Sequence, residues 1–248
     1  MSQTQLYSMA RSADVLSAVP DFHHWLTRAE QHRADAFLSA TARSDFIAGH
    51  LLARLVAAHF TPTSASDLRL IQHCACCGGA HGLPRLDGHP ELHISISHTE
   101  GVAAAVAGLH PVAIDIETLR DSERLLEIMP AALATAELAR IRHLQAMGVS
   151  SSSTDSDAVE RALLRTWVRK EAFVKLGLLT LDTLQSLDLS ALAIEPDWVN
   201  GQTWSTEYNA RQLTDFVAPK LGVAGAVLGD DVTAWIAVLP TQTTSTVG

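Results

Sequence analysis

Two acidic residues alternate with apolar ones in the segment Ala113-Ile114-Asp115-Ile116-Glu117. A strand with this alternation places Ile114 and Ile116 on one face and Asp115 and Glu117 on the other. Neighbouring carboxylates on one strand face repel each other, and a fold tolerates them best when a cation lies between them. The segment therefore predicts a buried strand whose acidic face borders a charged site.

A helix is predicted over Trp167–Lys175, with Trp167, Glu171 and Lys175 in one row at i, i+4 and i+8. If Glu171 meets Asp115 and Glu117, three carboxylates supply hard oxygen ligands for Mg²⁺, and Lys175 lies one turn away for phosphate. Each motif also has a simpler interpretation. The acidic pair could form a solvated face, and Glu171 with Lys175 could form a helix-stabilising pair worth about 0.3–0.5 kcal/mol.

Three blocks of sequence occur together in a fixed order. They are Gly82-Leu83-Pro84 with Ile94-Ser95-Ile96-Ser97-His98-Thr99, then Val112 to Glu117, then Trp167 to Lys175 with Gly177 after it. In this combination the chain resembles the 4′-phosphopantetheinyl transferases of the larger, surfactin-synthetase-activating type. The resemblance implies an α+β fold, a pseudo-twofold pair of similar α/β halves with the active site at the seam.

The resemblance also implies an activity. Such a protein transfers the 4′-phosphopantetheine group of coenzyme A to a serine of an apo acyl or peptidyl carrier protein and releases 3′,5′-ADP. It uses Mg²⁺, with Mn²⁺ as a substitute, held by Asp115, Glu117 and Glu171. Glu171 and Lys175 are the expected catalytic residues. The residues expected to bind coenzyme A are Arg33, Arg43, Arg85, Ser97, His98, Lys170 and Lys175.

The chain departs from the family pattern at two positions. Leu83 stands where the family usually has Lys between Gly82 and Pro84, and Arg85 is the nearest substitute cation. In an extended segment, residues 83 and 85 lie on the same side. Ala113 stands where the family often has Gly, a change between small residues that we expect to be harmless.

Two other classes of function use the same residues. A Mg²⁺-dependent phosphohydrolase would keep the three carboxylates and replace the carrier serine with water. A non-catalytic module that binds carrier proteins would keep the surface and lose the chemistry. The intact set of Asp115, Glu117, Glu171 and Lys175 argues against the second alternative.

The formal net charge of −9 argues against general binding to nucleic acids or anionic membranes. Because coenzyme A and carrier proteins are both acidic, a local basic patch must overcome that charge. Met1 to Phe22 carries Arg11 and Asp14 where an export signal needs an apolar core, so we expect a cytoplasmic protein. The chain length and the two-half pattern favour a monomer.

All 3 cysteines lie in Cys74-Ala75-Cys76-Cys77. Cys74, Cys77 and His81 have the spacing of half a zinc site, and no second half follows elsewhere. An odd number of thiols without an export signal argues against a disulfide framework. A zinc site and a reduced, thiol-rich turn both remain open.

The chain divides into an N-terminal half at 1–111, on the nucleotide side, a C-terminal half at 112–240, with the metal and the catalytic helix, and a frayed tail at 241–248. Helices are predicted at 21–40, 43–59, 121–147 and 160–176, with a flexible loop at 150–157. Strands are predicted at Leu92–Ser97 and Val102–Gly108, and a second hairpin at Val223–Leu228 and Val232–Leu239. In the first of these strands, Ser95 and Ser97 face away from Ile94 and Ile96.

Overall fold

The computed structural model describes residues 4–73, 78–79, 82–119, 127, 131–148, 154–192, 203–231 and 233–239. Within these ranges the protein is a mixed α+β fold with two four-stranded sheets and one two-stranded sheet. Cys74, Cys76, Cys77 and His81 lie outside the described residues, as does the tail at 241–248.

Five α-helices are described, and they are labelled in chain order. They are α1 (Ser12–Ala18), α2 (Arg28–Asp35), α3 (Ala40–Ala57), α4 (Thr135–Gly148) and α5 (Thr154–Lys175). The strands are β1 (Gln5–Arg11), β2 (Leu70–Gln72), β3 (Pro84–Leu86), β4 (His93–Thr99), β5 (Val102–Gly108), β6 (Val112–Thr118), β7 (Thr203–Tyr208), β8 (Arg211–Ala218), β9 (Val223–Gly229) and β10 (Thr233–Trp235).

The first sheet has the strand order β10-β1-β5-β4 and contains the predicted hairpin of β4 and β5. Strand β5 consists of small and β-branched residues and is buried along its whole length. Ala103 and Ala105 belong to the core cluster that also holds Leu51 and Leu52 of α3. Alanines at these positions let the long helix α3 lie close against the sheet. The presence of α3 confirms the predicted helix at 43–59 in outline.

The second sheet is antiparallel throughout, with the order β6-β9-β8-β7. Ala224 and Ala226 of β9 share a core cluster with Val168 and Ala172 of α5. Helix α5 therefore covers this sheet as α3 covers the first one. Each long helix buries an apolar stripe that it could not bury alone.

The two sheets pack against each other through their remaining faces. Ile114 and Ile116 of β6 share a core cluster with Val106 of β5 and with Phe216 of β8. The Tyr7 ring of β1 stacks on the Phe216 ring with centroids 5.4 Å apart. The layers therefore run helix, sheet, sheet, helix, and the apolar face of β6 is the one that meets the first sheet. The pseudo-twofold relation of the two halves stays a prediction.

Strands β4 and β6 meet at an edge where side chains take the place of a main-chain ladder. The hydroxyl of Ser95 accepts a hydrogen bond from the amide of Ile114 at 3.3 Å, and that of Ser97 accepts one from Ile116 at 3.1 Å. Both contacts advance in the same chain direction, so the two strands run in parallel. The predicted alternation of Ser95 and Ser97 with Ile94 and Ile96 is confirmed, and it places the serines against β6.

Several predicted elements need correction. The predicted second hairpin is wrong, because β9 lies between β6 and β8 while β10 pairs with β1 in parallel. The polar stretch before it contains β7, which is largely exposed, and β8, in which Leu213 to Val217 are buried. Helix α5 begins at Thr154, inside the predicted loop. The predicted helix at 21–40 is reduced to α2, whose start is set by a capping box between Thr27 and Glu30.

None of the helices in the described ranges combines the length and the apolar character that a membrane crossing requires.

Candidate active site

Asp115 lies on the acidic face of β6, with only 4% of its surface exposed. Its Oδ1 accepts hydrogen bonds from the Ser97 hydroxyl at 2.9 Å and from the Lys175 ammonium at 2.7 Å. Its Oδ2 is buried and has no hydrogen-bond partner among the described residues. A buried carboxylate oxygen without a donor is costly, so this atom is suited to receive a cation or a donor that the chain itself does not supply.

The backbone at Asp115 is held by a close approach of β9. A Cβ atom at Gly225 would lie 2.5 Å from the carbonyl oxygen of Asp115 and 2.5 Å from the Phe216 ring. Only glycine leaves room for this contact, which sets the position of the central part of β6. The sequence pattern of β9 alone does not reveal this requirement.

Lys175 is the last residue of α5, and its side chain is 26% exposed. Besides Asp115, its ammonium donates a hydrogen bond to the carbonyl of Ile96 at 3.2 Å. The helix ends directly after it, where Gly177 has a φ of +78° and the Leu178 amide donates to the Phe173 carbonyl at 3.0 Å. Lys175 thus joins the end of α5 to both β4 and β6.

Glu171 lies one helical turn before Lys175 and is half-buried. Burial raises the pKa of Glu171 to about 7, and the negative charge of Asp115 adds to the shift while Lys175 opposes it. A carboxylate with this pKa accepts a proton near neutral pH far more readily than an ordinary glutamate does. Trp167, two turns before Lys175 on the same row, packs against the core under α5.

Glu117 follows Asp115 by two residues on the same face of β6 and is half-buried. Its Oε2 accepts a hydrogen bond from the Thr99 hydroxyl at 3.3 Å. Thr99 continues the row of Ser95 and Ser97 along β4. Sequence reasoning missed this partner, although the alternation of hydroxyl residues along β4 carried the signal.

The site's chemistry fits a hard divalent cation. It offers carboxylate oxygens, one of them buried without a partner among the described residues, and a Glu171 whose pKa is raised first by burial and then by the like charge of Asp115. Yet within the described ranges no three His, Cys, Asp or Glu side chains are gathered closely enough to hold a metal ion as they stand. In this arrangement the cation on Asp115 is the ammonium of Lys175.

A cleft of about 420 Å³ opens beside Lys175. Its walls include Leu83 and Arg85 around β3, His93 of β4, and Leu176. Leu83 and Arg85, which the sequence singled out as a departure and its substitute, therefore border the same cleft as Lys175. Arg85 is exposed, so its guanidinium is accessible to an anionic ligand.

The other predicted nucleotide contacts are more scattered. Arg43 pairs with Asp35 at 2.6 Å on the surface. Arg33 borders a second cavity of about 200 Å³, where its guanidinium lies over the Phe46 ring. Neither arginine lines the larger cleft.

His98, also predicted to contact the nucleotide, has a lowered pKa because its ring is partly removed from water. The charge of Asp45 opposes this shift in pKa, and the charge of Lys175 adds to it.

Ser97, predicted to contact the nucleotide, is buried between the two sheets. Its hydroxyl donates to Asp115 and accepts from the Ile116 amide. In the described structure it therefore positions a carboxylate, and a nucleotide contact by Ser97 stays a prediction.

Lys170, predicted to bind coenzyme A, is completely buried. Its ammonium forms an ion pair with Glu137 at 2.7 Å and donates to the carbonyls of Ala132, Leu184 and Leu187 at 2.8–2.9 Å. The enclosed ammonium has no access to a phosphate, which corrects the prediction. Lys170 and Lys175 are five residues apart, and this helical spacing turns one inward and the other toward β6.

A second buried ionic cluster lies under α2 and was also missed. Arg54 of α3 donates to both carboxylate oxygens of Glu30, at 2.9 and 2.7 Å, and Nδ1 of His50 lies 2.7 Å from Glu30. Burial alone would raise the pKa of Glu30, but the hydrogen bonds from His50 and Arg54 lower it to about 2. The cluster holds α2 on α3 and brings Arg33 to the smaller cavity.

With this geometry in place, comparison with known families adds a decisive observation. Residues 111–220 match the family model of the 4′-phosphopantetheinyl transferase superfamily. This region is therefore similar to that superfamily. The matched region contains Asp115, Glu117, Glu171 and Lys175. It spans less than half of the chain. No curated protein matches the chain.

We predict that Lys170→Met lowers the free energy of unfolding by about 3–5 kcal/mol, because it leaves Glu137 as a buried charge without its partner. Lys220→Met removes the same group at an exposed position and should change stability by no more than about 0.5 kcal/mol. Urea unfolding of both variants measures the difference. Equal stability of the two variants would contradict the structural role of Lys170.

We predict that Glu171→Gln stabilises the metal-free protein more as the pH rises. Folding raises the pKa of Glu171 from 4.5 to about 7. The contribution of Glu171 to the free energy of unfolding is therefore fully present below about pH 4.5 and is lost as the pH rises through about 7. The variant should gain about 1–2 kcal/mol relative to wild type between about pH 5 and pH 8.5, after allowance for partial exposure. Urea unfolding in EDTA tests this, with the exposed Glu207→Gln as control. A difference that does not vary with pH would show that Glu171 is not perturbed.

Proposed function

We propose that this protein transfers the 4′-phosphopantetheine group of coenzyme A to a serine of an apo acyl or peptidyl carrier protein and releases 3′,5′-ADP. The observation that carries the proposal is the buried Asp115, which has an oxygen without a partner among the described residues and bears Lys175 on its other oxygen. This arrangement lies within the superfamily match and beside a cleft lined by cationic side chains. We further propose that the protein is of the larger, surfactin-synthetase-activating type and acts as a cytoplasmic monomer.

The proposed active site lies at the seam between an N-terminal half, 1–111, and a C-terminal half, 112–240, related by a pseudo-twofold. The edge contact of β4 with β6 supports this location, because Asp115 and Ser97 face each other across it at 2.9 Å. In this proposal the first half supplies the nucleotide side of the site and the second half supplies the carboxylates. The tail at 241–248 takes no part.

Asp115, Glu117 and Glu171 would hold a Mg²⁺ ion, for which Mn²⁺ can substitute. When bound, the ion neutralises the negative charge of the pyrophosphate of coenzyme A. The chain's own contribution is to hold Asp115 rigidly through Ser97 and the close contact with Gly225. A rigid ligand needs little reorganisation when the cation arrives.

Glu171 is proposed to accept the proton of the carrier serine, whose oxygen then bonds to the phosphorus that carries pantetheine. The bond from that phosphorus to the leaving 3′,5′-ADP breaks in the same displacement. Burial raises the pKa of Glu171 to about 7 in the absence of a cation, and a divalent cation held beside it would favour the ionised form that accepts a proton. Lys175 would stabilise the charge that develops on the leaving phosphate.

The nucleotide part of coenzyme A would be held by Arg33, Arg43, Arg85, Ser97 and His98. Arg85 has the strongest support among them, since it is exposed and lines the cleft that also contains Lys175. The apolar Leu83 borders the same cleft and cannot bind phosphate.

Intact-mass analysis of a panel of apo carrier proteins, incubated with coenzyme A and Mg²⁺, tests the proposal. We expect a mass gain of one phosphopantetheine on the carrier, and no gain in EDTA. Asp115→Asn and Glu171→Gln should each reduce the rate by about 100-fold or more, while the exposed Glu207→Gln leaves it unchanged. Transfer that persists in EDTA would refute the metal-dependent mechanism. Release of phosphopantetheine to water without any carrier would instead identify a phosphohydrolase.

Arg85→Ala should raise the KM for coenzyme A about tenfold with a smaller effect on kcat, because it removes a cation that pairs with bound phosphate. The double variant Leu83→Lys with Arg85→Ala should recover part of the loss. The exposed Arg69→Ala, which removes the same charge outside the cleft, serves as control. An unchanged KM in Arg85→Ala would exclude Arg85 as the substitute cation and favour Arg33 and Arg43.

A further inference from the structure

Asp115 already has a cationic partner, the ammonium of Lys175. Its ammonium lies 2.7 Å from Oδ1 of Asp115, whose side chain is only 6% exposed. The same ammonium donates to the carbonyl of Ile96 at 3.2 Å. Two oxygen acceptors, one of them a buried carboxylate, therefore bind the ammonium of Lys175. The same carboxylate is a proposed ligand of the metal ion.

A divalent cation cannot simply be added to this arrangement. Oδ1 of Asp115 already accepts from both Ser97 and Lys175, and the remaining Oδ2 belongs to the same carboxylate. A metal ion on Oδ2 would lie directly beside the ammonium on Oδ1. In a site with little water, two positive charges at such a separation repel strongly, since few solvent dipoles screen them.

We infer that Lys175 competes with the divalent cation for Asp115, so that metal binding displaces its ammonium from Asp115 into the adjoining cleft. The inference rests on the proposed function in one respect, namely that Asp115 is a metal ligand. It adds a coupling between the metal and Lys175 that the proposed function does not require.

The displaced ammonium has a place to go. Lys175 lines the 420 Å³ cleft together with Arg85, and its side chain is already 26% exposed. Because Lys175 is the last residue of α5 and has a flexible four-carbon stem, it can turn without disturbing the helix. In the cleft it would join Arg85 as a second cation facing an anionic ligand.

The coupling is reciprocal. An anion in the cleft that attracts Lys175 removes the competing ammonium from Asp115, and the anion therefore tightens metal binding. By linkage, the metal tightens anion binding by the same factor. The chain would then assemble its cationic cleft only when a metal is present. Without the metal, Lys175 keeps the charge of Asp115 neutralised and the fold intact.

Mn²⁺ binding to the full chain without coenzyme A tests the inference, with electron paramagnetic resonance of free Mn²⁺ as the readout. Lys175→Met removes the competing charge and should bind Mn²⁺ about tenfold more tightly than wild type. Lys220→Met removes an exposed lysine and should bind as wild type does.

The gain must depend on Asp115. In the Asp115→Asn background, Lys175→Met should no longer tighten Mn²⁺ binding, because the two residues act through one interaction. Thermal unfolding confirms that each variant is folded, and Lys175→Gln replaces Lys175→Met if the latter is not.

Unchanged or weaker Mn²⁺ binding by Lys175→Met would overturn the inference, as would a gain that persists in Asp115→Asn. If wild type transfers phosphopantetheine but Lys175→Met gains no affinity, the proposed function stands and the inference fails. If the affinity rises as expected while no apo carrier is modified, the inference stands and the proposed function fails. If no variant binds Mn²⁺ in the absence of coenzyme A, the inference fails, and the proposed function is decided by the intact-mass measurement with and without EDTA.

Discussion

The negative charge of Asp115 lies at the edge where β4 and β6 meet, with almost no exposure to solvent. A buried carboxylate must be neutralised or supplied with donors, and here Ser97 and Lys175 serve one oxygen while the other has no partner among the described residues. Each of these groups comes from a different element. The charge therefore draws β4, β6 and the end of α5 to one point, and Glu171 follows because it lies one turn from Lys175.

The packing of the sheets explains why this charge can be held there. The apolar face of β6 is committed to the core between the sheets, with Ile114 and Ile116 against the first sheet. The opposite face is consequently turned toward α5, which covers the second sheet. Gly225 lets β9 approach the backbone at Asp115, so the carboxylate sits on a strand that has little freedom to shift. A rigid support of this kind suits a group that must meet a ligand in one geometry.

Local patterns predicted the elements that carry the site. The alternation around Asp115 indicates β6, the row of Trp167, Glu171 and Lys175 indicates the C-terminal part of α5, and the hairpin of β4 and β5 follows from its turn at Gly101. The weakly patterned strands were missed, because β7 and β8 depend on pairing with distant segments. The order of β9 and β10 was wrong for the same reason, since β10 pairs with β1 more than two hundred residues away along the chain.

The sequence by itself determined which residues could carry the chemistry, because residue type and local period decide which side chains share a face. Only the tertiary structure decided what each charge meets. Lys170 and Lys175 are both lysines on one helix, yet one is enclosed by Glu137 and three carbonyls while the other reaches Asp115 and a cleft. The hydroxyl row of β4 likewise acquired its role only from the neighbouring β6. Contacts between elements far apart in the chain set burial and charge pairing, and no local pattern contains that information.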